Sequence, residues 1–471
     1  MPRLASRSRT IAADTLTPIG ALAALGTPAA SCLLESVESG GRISRYSFVG
    51  VDYLQARSFD DDGEMLANIR SFVGDHRARV DDPEGRGGAL VAFSYDAARS
   101  FARLPARAAA DPPMPAAYVA LPATWLIFDH FSDELTIWTC GSDERELGAK
   151  VDSYIERLLS ARPSLPGRVR GSEPVRSSLD RAQFVERARK VKDYITDGEV
   201  YQLQLGIRFA AQLEGSAYDL YRAIRSRNPS PYMFYVDAPF GQLLGASPEF
   251  LVRLEGRRAR IRPLAGTRPR GADESADLAI AAELLSNEKE RAEHVMLVDL
   301  GRNDLGVVCE FGSVKATELL QLERYSHVMH IVSDLTGSLK PECDALDLFA
   351  AGFPAGTVTG TPKIRAMQLI DELEPVARGF YAGSVGRWAH GGDFDSCITL
   401  RSMHVHDASA HWQASAGIVA DSDPEAEYEE IMTKTEISRV ILSLDCHPEV
   451  SKGTPLCHGE PVEPPLSGVE G

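Results

Sequence analysis

The sequence lacks the features that mark secreted, membrane-spanning and nucleic-acid-binding proteins. Its seven cysteines are widely scattered and none forms a C-x-x-C pair, so neither a disulfide framework nor a zinc site is predicted, and reduced thiols of a cytoplasmic protein are expected. No apolar run approaches the roughly 20 residues that a membrane helix needs. Asp14, Pro18 and Gly20 break up the stretch after the basic start, so we expect no signal peptide. Basic residues number 50 against 67 acidic ones, and this deficit disfavours nucleic acid as the main partner.

What is present is the composition of an ordinary globular protein. The 471 residues are 44% apolar and 25% charged, which excludes a wholly disordered or collagen-like chain. Length alone predicts about three domains, although large α/β sandwiches form one. The net charge of −17 repels small anionic substrates at long range. If the protein uses such a substrate, a local arrangement of charge has to offset that repulsion.

The chain is predicted to consist of two halves joined by a linker. Runs of β-branched and aromatic residues predict strands at 45–51, 88–95, 123–129 and 134–140 in the first half, 1–165. Residues 166–178 are rich in Pro, Gly, Ser and Arg and are predicted to be a surface linker. The second half, 179–444, is followed by a Pro-, Gly- and Glu-rich tail, 445–471, that we expect to be disordered.

The second half is predicted to alternate helices with hairpins. Helices are expected at 179–198, 278–300, 362–373 and 423–444, the last with Asp423 as N-cap and Pro424 at the first helical position. Strand-like segments at 242–247 and 250–262 predict a hairpin that turns at 255–256. A later meander is expected to turn near 391–392 and near 407.

Two pairs of carboxylates have a spacing that could serve a metal ion. Glu290 and Glu293 are three apart on one predicted helix, Glu427 and Glu430 are three apart on another, and Lys434 follows one turn later. Two such pairs could converge on Mg²⁺, which takes a few carboxylates and completes its shell with water and substrate oxygens. A solvated helix face is the alternative, and spacing alone favours it.

A Gly- and Thr-rich loop and a glycine-containing turn are candidate anion sites. The loop at 352–363 leads into a helix, whose N-terminal amides could bind an anion, although a tight turn explains it equally well. Its spacing does not match a Walker A loop. Backbone amides at Gly266 and the hydroxyl of Thr267 could bind a carboxylate, whereas Arg268 and Arg270 are interpreted as surface or ion-pair residues.

One histidine and one arginine lie in apolar segments and admit two interpretations each. His330 stands between apolar neighbours, where a histidine is usually a hydrogen-bonded core residue and less often a proton-transfer group. Arg401 ends the apolar strand at 396–401. An arginine that points inward there needs a planar anion, which is either a substrate carboxylate or a buried acidic side chain.

Taken together, these segments resemble the chorismate-binding enzymes, and most closely their anthranilate-forming component I branch. The segments that carry the resemblance are NPSPYMFY (228–235), GASPE (245–249), PLAGTRPRG (263–271), ERAEHVMLVDLGRNDLG (290–306), YSHVMHIVS (325–333), FPAGTVTGTPKIRAM (353–367), RGFYAGSVG (378–386), CITLRS (397–402) and AGIVADSDPEAEYEEIMTK (416–434). The family fold is a large α/β sandwich of two sheets with helices on the outer faces. The family chemistry is a Mg²⁺-dependent conversion of chorismate.

The resemblance implies a role for each matching residue. Glu293 and Glu430 would hold Mg²⁺, with Glu290 and Glu427 around it. Glu249 would assist departure of the hydroxyl, and His330, with Thr357, would assist proton removal and loss of pyruvate. Lys434 would approach the carboxylate of chorismate, and the other residues in contact with chorismate would be Gly266, Thr267, Tyr381, Arg401, Ser415, Ala416 and Gly417. Ser415 departs from the family pattern, where a glycine is usual.

Two positions separate the branches of this family. Related enzymes that add a lysine to the ring or use one to activate water would have it at the positions of Ala265 and Gln202. Since neither is a lysine, the resemblance favours ammonia as the nucleophile, and the absence of a G-x-C-x-G motif implies that a separate glutamine amidotransferase subunit supplies it. The alternatives are an aminodeoxychorismate synthase component I and an inactive tryptophan-binding regulatory protein.

A tryptophan feedback site is also implied by the resemblance. It would be formed by Ser36 in the segment LLES together with Pro231, Tyr232 and Met233. Ser36 and nearby backbone could hold the polar end of the amino acid, while Pro231 and Met233 could pack against an indole ring.

Overall fold

Ten helices and twenty strands make up the part of the chain that the structure, a computed structural model, describes: residues 3–36, 45–105, 108–162, 165–324 and 328–442. The helices are α1 (Pro18–Ala24), α2 (Met65–Arg79), α3 (Glu144–Ser160), α4 (Arg181–Thr196), α5 (Ala217–Arg227), α6 (Glu274–Ser286), α7 (Glu288–Val308), α8 (Ala345–Gly352), α9 (Lys363–Leu373) and α10 (Pro424–Ile441), with short 3₁₀ helices at Tyr95–Ser100 and Gly356–Val358. The strands are β1 (Ala5–Ala12), β2 (Cys32–Glu35), β3 (Tyr46–Phe59), β4 (Gly88–Phe93), β5 (Ala117–Asp129), β6 (Glu134–Gly141), β7 (Arg170–Ser177), β8 (Gln202–Glu214), β9 (Tyr232–Ala238), β10 (Gly241–Ser247), β11 (Phe250–Glu255), β12 (Arg258–Ile261), β13 (Leu264–Pro269), β14 (Lys315–Arg324), β15 (Val328–Ser338), β16 (Gly360–Thr361), β17 (Ser384–Ala389), β18 (Phe394–Ile398), β19 (Ser402–His406) and β20 (Ser409–Ile418).

The strands form two antiparallel sheets that share the long strands β3 and β5. One sheet runs β1-β6-β5-β3-β2-β9-β10-β19-β20-β8, with β7 and β16 pairing to β8. The other runs β5-β4-β17-β18-β11-β12-β15, with β13 and β14 also pairing to β15. The register of β3 against β5 shifts between Tyr53 and Gln55, opposite Pro122. Because proline has no N–H to donate, the ladder is interrupted where the strands pass between the sheets.

Three large apolar clusters show how the layers pack. The cluster between the sheets contains Trp125 and Phe234 from the first sheet and Val385 from the second. A second cluster joins the first sheet to α3, α4, α5 and α10, and a third joins the second sheet to α2, α7 and α8. The order of layers is therefore helix, sheet, sheet, helix, which confirms the expected two-sheet sandwich with helices on its outer faces.

Several predicted elements are confirmed with their caps. In α4, the Asp180 side chain accepts from the backbone of Gln183 and the Gln183 side chain accepts in return. In α10, Asp423 is the N-cap and Pro424 opens the helix. The turn at 255–256 joins β11 to β12, and the meander turns lie between β17 and β18 and between β19 and β20. Residues 443–471, which include the predicted tail, lie outside the described residues.

Three predictions about local structure were wrong. The helix expected at 278–300 is two helices, because the Asn287 side chain accepts from the backbone N–H of Glu290 and starts α7 afresh. The segment 242–247 pairs with β9 and β19 rather than with the strand that follows it. The expected linker, 166–178, contains β7, which pairs with β8 and adds an edge strand to the first sheet. None of the helices in the described ranges is long and apolar enough to span a membrane.

Candidate active site

A cavity of about 220 Å³ opens between the first sheet, β15 and α10, and we call it the site cavity. It brings together eight of the predicted catalytic and substrate-binding residues: Glu249, Thr267, His330, Thr357, Tyr381, Arg401, Ser415 and Lys434. These residues are far apart in the chain. They converge because β13, β15, β20 and α10 end or pass beside one another.

Glu249 is a protonated carboxyl group in the wall of the site cavity. It lies between β10 and β11, and only 7% of the residue is exposed. Burial raises the pKa of Glu249 to about 8, although the hydrogen bond from Thr357 partly opposes the shift. The Thr357 hydroxyl, in the second 3₁₀ helix, lies 3.3 and 3.4 Å from the two carboxyl oxygens. A neutral carboxyl group at the working pH can donate a proton to a leaving group.

His330 is a neutral imidazole in the opposite wall. It lies on β15, 3% exposed, with Nδ1 at 3.0 Å from the Thr267 hydroxyl and 3.3 Å from the carbonyl oxygen of Gly266. Burial and the charge of Arg401 lower the pKa of His330 to about 4. Since a carbonyl oxygen only accepts, this geometry puts the ring proton on Nδ1 and makes Nε2 the basic nitrogen.

Two cationic side chains face the same cavity. The Arg401 side chain is open to the cavity and makes no ion pair within the described ranges, while the protein around it lowers its pKa. Its backbone has a φ of 47°, a left-handed conformation that costs energy for a residue with a Cβ. The Lys434 ammonium donates to the carbonyl oxygen of Ser415 at 2.9 Å and lies 2.6 Å from a carboxylate oxygen of Glu430. Arg401 is therefore the cation with capacity left for an anionic ligand.

A chain of hydroxyl groups runs along the floor of the cavity. The Tyr381 hydroxyl lies 2.8 Å from that of Ser415, which donates to the side-chain oxygen of Gln204 at 2.9 Å. The next two predicted substrate residues behave differently. Ala416 is fully buried in the apolar core, so only its backbone could reach a ligand. A Cβ at Gly417 would lie 2.9 Å from the side-chain amide of Gln204 and 3.0 Å from that of Gln202, so a larger residue here would displace these two amides.

The four carboxylates predicted to hold a metal ion are neighbours but not a preformed metal cluster. Burial and the charge of Glu430 raise the pKa of Glu293 and of Glu427, so the two helices do face each other. Glu290 is paired at 2.9 Å with Arg268, which agrees with the interpretation of Arg268 as an ion-pair residue. Within the described ranges, no three acidic, histidine or cysteine side chains are close enough to hold a metal ion. Glu293 lies 3.9 Å from Lys289 and Glu430 lies 2.6 Å from Lys434, whereas Glu427 is hydrogen-bonded to Ser422.

The predicted feedback residues meet at a second, larger cavity. It measures about 760 Å³ and lies between the two sheets, so we call it the inter-sheet cavity. Ser36, Tyr232 and Met233 line it, and the Ser36 hydroxyl donates to the carbonyl oxygen of Pro231 at 2.8 Å. The Tyr232 hydroxyl donates to Asp395 at 3.0 Å.

Sequence reasoning missed the amides that line the site cavity. Gln204 and Gln413 contribute to its wall, and Gln413 donates to the buried carboxylate of Glu374 at 3.1 Å. Glu374 is paired with the equally buried Arg378 at 2.7 Å, and the Arg378 guanidinium donates to the carbonyl oxygen of Gln204 at 2.8 Å. The alternation of Gln202 and Gln204 in an otherwise apolar strand was a signal that one face is polar.

Comparisons with known proteins identify the class to which this fold and site belong. The family model for chorismate binding enzymes matches residues 31–439. The chain therefore belongs to the chorismate-binding enzymes, as the resemblance implied.

Within that family, the chain is similar to proteins called anthranilate synthase component 1. The protein of that name from Streptomyces coelicolor is 42% identical over 439 residues, which cover 90% of this chain and 86% of that protein. The one from Thermus thermophilus is 42% identical over 448 residues, which cover 92% and 97%. The crystal structure of anthranilate synthase component I from Streptococcus pneumoniae superposes with a TM-score of 0.77 at 30% identity, and covers 91% of this chain and 99% of that one.

Proposed function

We propose that this chain is the chorismate-converting subunit of an anthranilate synthase, which turns chorismate and ammonia into anthranilate and pyruvate. The names of its relatives support this function, and one observation in the cavity favours it over aminodeoxychorismate synthesis. Among the described residues that line the site cavity, the lysine is Lys434, and its ammonium is bound to Glu430 and to the Ser415 carbonyl. A nucleophilic lysine must be neutral and free to attack, so ammonia itself is the nucleophile.

The first half of the reaction uses Glu249. Ammonia adds at ring C2 and the C4 hydroxyl group departs. Glu249 donates its proton to that hydroxyl, which leaves as water. Its raised pKa of about 8 keeps the acid form available at neutral pH, and Thr357 orients the carboxyl group through its hydrogen bond.

The second half of the reaction uses His330. The ring proton at C2 is removed and pyruvate is eliminated, which gives the aromatic product. His330 accepts that proton, because its lowered pKa of about 4 keeps the imidazole neutral. Thr267 and Gly266 fix the ring through Nδ1, and Arg401 binds a carboxylate of the substrate.

The acidic pairs on α7 and α10 fit a divalent cation of the hard type. Burial is the first cause of the raised pKa values of Glu293 and Glu427; the charges of Glu290 and then Glu430 add to the shift at Glu293, and that of Glu430 adds to it at Glu427. A cation between the helices would remove this cost. Glu293 and Glu430 would hold Mg²⁺, with Glu290 and Glu427 around it. When bound there, the ion would supply positive charge to neutralise the ring carboxylate of chorismate.

A partner and an effector complete the proposal. A glutamine amidotransferase subunit supplies ammonia in the cytoplasm, and the component 1 name of the relatives supports a second component. Tryptophan binds in the inter-sheet cavity at Ser36, Pro231, Tyr232 and Met233 and inhibits the enzyme. The volume of about 760 Å³ is within the range of small-molecule sites.

The product formed with ammonia tests the proposed function. The purified chain, given chorismate, Mg²⁺ and an ammonium salt at alkaline pH, is expected to produce fluorescent anthranilate and stoichiometric pyruvate. Omission of the ammonium salt is the control and should abolish the signal. Accumulation of an amino-chorismate without pyruvate would instead identify aminodeoxychorismate synthesis, and no product at all would favour an inactive regulatory protein.

A further inference from the structure

The catalytic acid of the proposed reaction has to recover a proton after every turnover. Glu249 is only 7% exposed, and substrate in the site cavity covers the face from which it donates. Proton return from that side would require the product to leave first. A route that returns the proton while the site cavity is occupied therefore has to reach the opposite face of Glu249.

A second, smaller cavity lies behind Glu249. Its volume is about 30 Å³, and both Glu249 and Thr357 line it as well as the site cavity. The remaining wall is mostly apolar, with Asp304 and Arg262 as its other charged residues. A cavity of this size with polar groups in its wall has room for one or two water molecules, since about 10–15 Å³ is enough for one. Carboxyl oxygens at two points of the wall give such a water the partners it needs.

Asp304 is the second carboxyl group that lines this small cavity. The residue is 9% exposed, and burial raises its pKa although the charge of Lys363 opposes the shift. A carboxylate oxygen lies 3.0 Å from the Lys363 ammonium, at the start of α9, and both side chains retain slight exposure, 12% and 13%. Asp304 is also eleven residues beyond Glu293 on α7, three helical turns further along the same face.

We propose that Asp304, paired with Lys363, returns the proton to Glu249 through water held in the small cavity. The inference rests on the proposed function. The water gives a proton to the Glu249 carboxylate and takes one from the Asp304 carboxyl group. Asp304 recovers its proton from the Lys363 ammonium, and Lys363 recovers one from solvent. Each turnover thus moves one proton inward, which replaces the proton that left in water, and no group is oxidised or reduced.

The other charged group at the small cavity does not compete for this role. Arg262 is held in ion pairs with Glu323 and with Asp334, the latter at 3.3 Å. A guanidinium keeps its proton at every working pH. Asp304 and Glu249 are therefore the groups at this cavity that exchange protons in the working range.

The test compares Asp304→Asn with Asp299→Asn in the full chain with chorismate, Mg²⁺ and an ammonium salt. Asp299 is on the same helix but is exposed and paired with Arg302 at 3.0 Å. Asp304→Asn is expected to lower kcat by about tenfold or more, to leave the chorismate KM unchanged and to increase the solvent deuterium isotope effect on kcat. Asp299→Asn is expected to match the parent in all three.

A chemical rescue separates proton transfer from a structural role. Asp304→Ala enlarges the small cavity, so added formate is expected to restore kcat with saturation. If Asp304→Ala does not fold, Lys363→Gln should show the same increase in the solvent isotope effect as Asp304→Asn. An unchanged kcat in Asp304→Asn would overturn the inference. So would a reduced kcat without a larger isotope effect and without formate rescue. If the parent itself makes no anthranilate, the proposed function fails instead.

Discussion

The site cavity and the inter-sheet cavity differ in how their charged side chains are neutralised. In the inter-sheet cavity, two arginines have acidic partners, Arg45 with Asp129 at 2.6 Å and Arg253 with Asp395 at 2.9 Å. A third, Arg387, donates to the carbonyl oxygens of Arg86 and Gly87, and burial lowers its pKa to about 10. In the site cavity, Arg401 makes no ion pair within the described ranges, and Glu249 has a hydroxyl group rather than a cation as its neighbour.

The pKa values of Glu249 and His330 follow from this arrangement. Glu249 has no charged partner, so burial raises its pKa to about 8 and the hydrogen bond from Thr357 opposes the shift only in part, while burial and Arg401 lower the pKa of His330 to about 4. Acidic groups with a pKa above neutrality, and basic groups with a pKa well below it, are costly for folding. Such groups are concentrated where proton transfer occurs. This difference supports the proposed roles, which are proton transfer in the site cavity and ligand binding in the inter-sheet cavity.

The comparison also answers how an acidic protein can bind a dianionic substrate. The overall charge is −17, yet Arg401 presents an uncompensated guanidinium to the site cavity, and Lys434 is positioned beside it. Local potential in a concave site outweighs the distant field, because exposed charges further away than about 8–10 Å are screened by salt.

The largest effect is expected from removal of the acid proton in the site cavity. Glu249→Gln should lower kcat by about 10²–10⁴-fold, since the amide cannot protonate the departing hydroxyl. In the parent, activity should fall as the pH rises through about 8, where Glu249 loses its proton, and this alkaline limb should be absent from the residual activity of the variant. Initial rates of anthranilate fluorescence measure both.

The matched control for that variant is Glu310→Gln, an exposed glutamate just beyond α7. Its rate and its pH profile should equal those of the parent. If Glu249→Gln retains most of the kcat of the parent, Glu249 is not the proton donor, and the proposed difference in role between the two cavities loses its main support.

A smaller effect is expected from the unpaired cation. Arg401→Gln should raise the KM for chorismate by roughly 10–100-fold, because a hydrogen bond to a charged group contributes about 1.5–3 kcal/mol. The charge of Arg401 lowers the pKa of His330, so its removal should raise that pKa. The acidic limb of the rate profile, where His330 becomes protonated, should then move to higher pH.

Arg302→Gln is the control for Arg401, since Arg302 is an exposed arginine on α7. It should change neither KM nor the acidic limb. An Arg401→Gln variant with the KM of the parent would show that the guanidinium serves the fold rather than the substrate.

Much of the fold was predictable because its signals are local. The caps of α4 and α10 are formed by side chains within three residues of the helix start, and such contacts are visible in the sequence. The break at Asn287 was missed because an asparagine inside an apolar period does not by itself indicate a cap. Strand β7 was missed because its pairing with β8 overrides a composition typical of loops.

The chemistry of the site was only partly predictable, for a related reason. Glu249 and His330 could be singled out by resemblance, but the environment that sets their pKa values comes from elements distant in the chain. The small cavity shared by Glu249 and Asp304 is formed where α7 packs beside β11 and the second 3₁₀ helix. No local pattern encodes that contact, so only the folded structure shows it.

The smallest effect is expected in the inter-sheet cavity, where binding rather than chemistry is at stake. Ser36→Ala removes the hydroxyl group that donates to the Pro231 carbonyl oxygen at 2.8 Å. The same hydroxyl oxygen can accept a hydrogen bond from the amino group of bound tryptophan, and loss of one such bond costs about 1 kcal/mol, so the inhibition constant for tryptophan should rise by roughly fivefold. The control variant Ser160→Ala, at the exposed end of α3, should have the same inhibition constant for tryptophan as the parent. Each variant's rate without tryptophan is its own reference, so the measurement isolates binding. An unchanged inhibition constant in Ser36→Ala would mean that tryptophan, if it inhibits, does so from elsewhere, and the inter-sheet cavity would lose its proposed ligand.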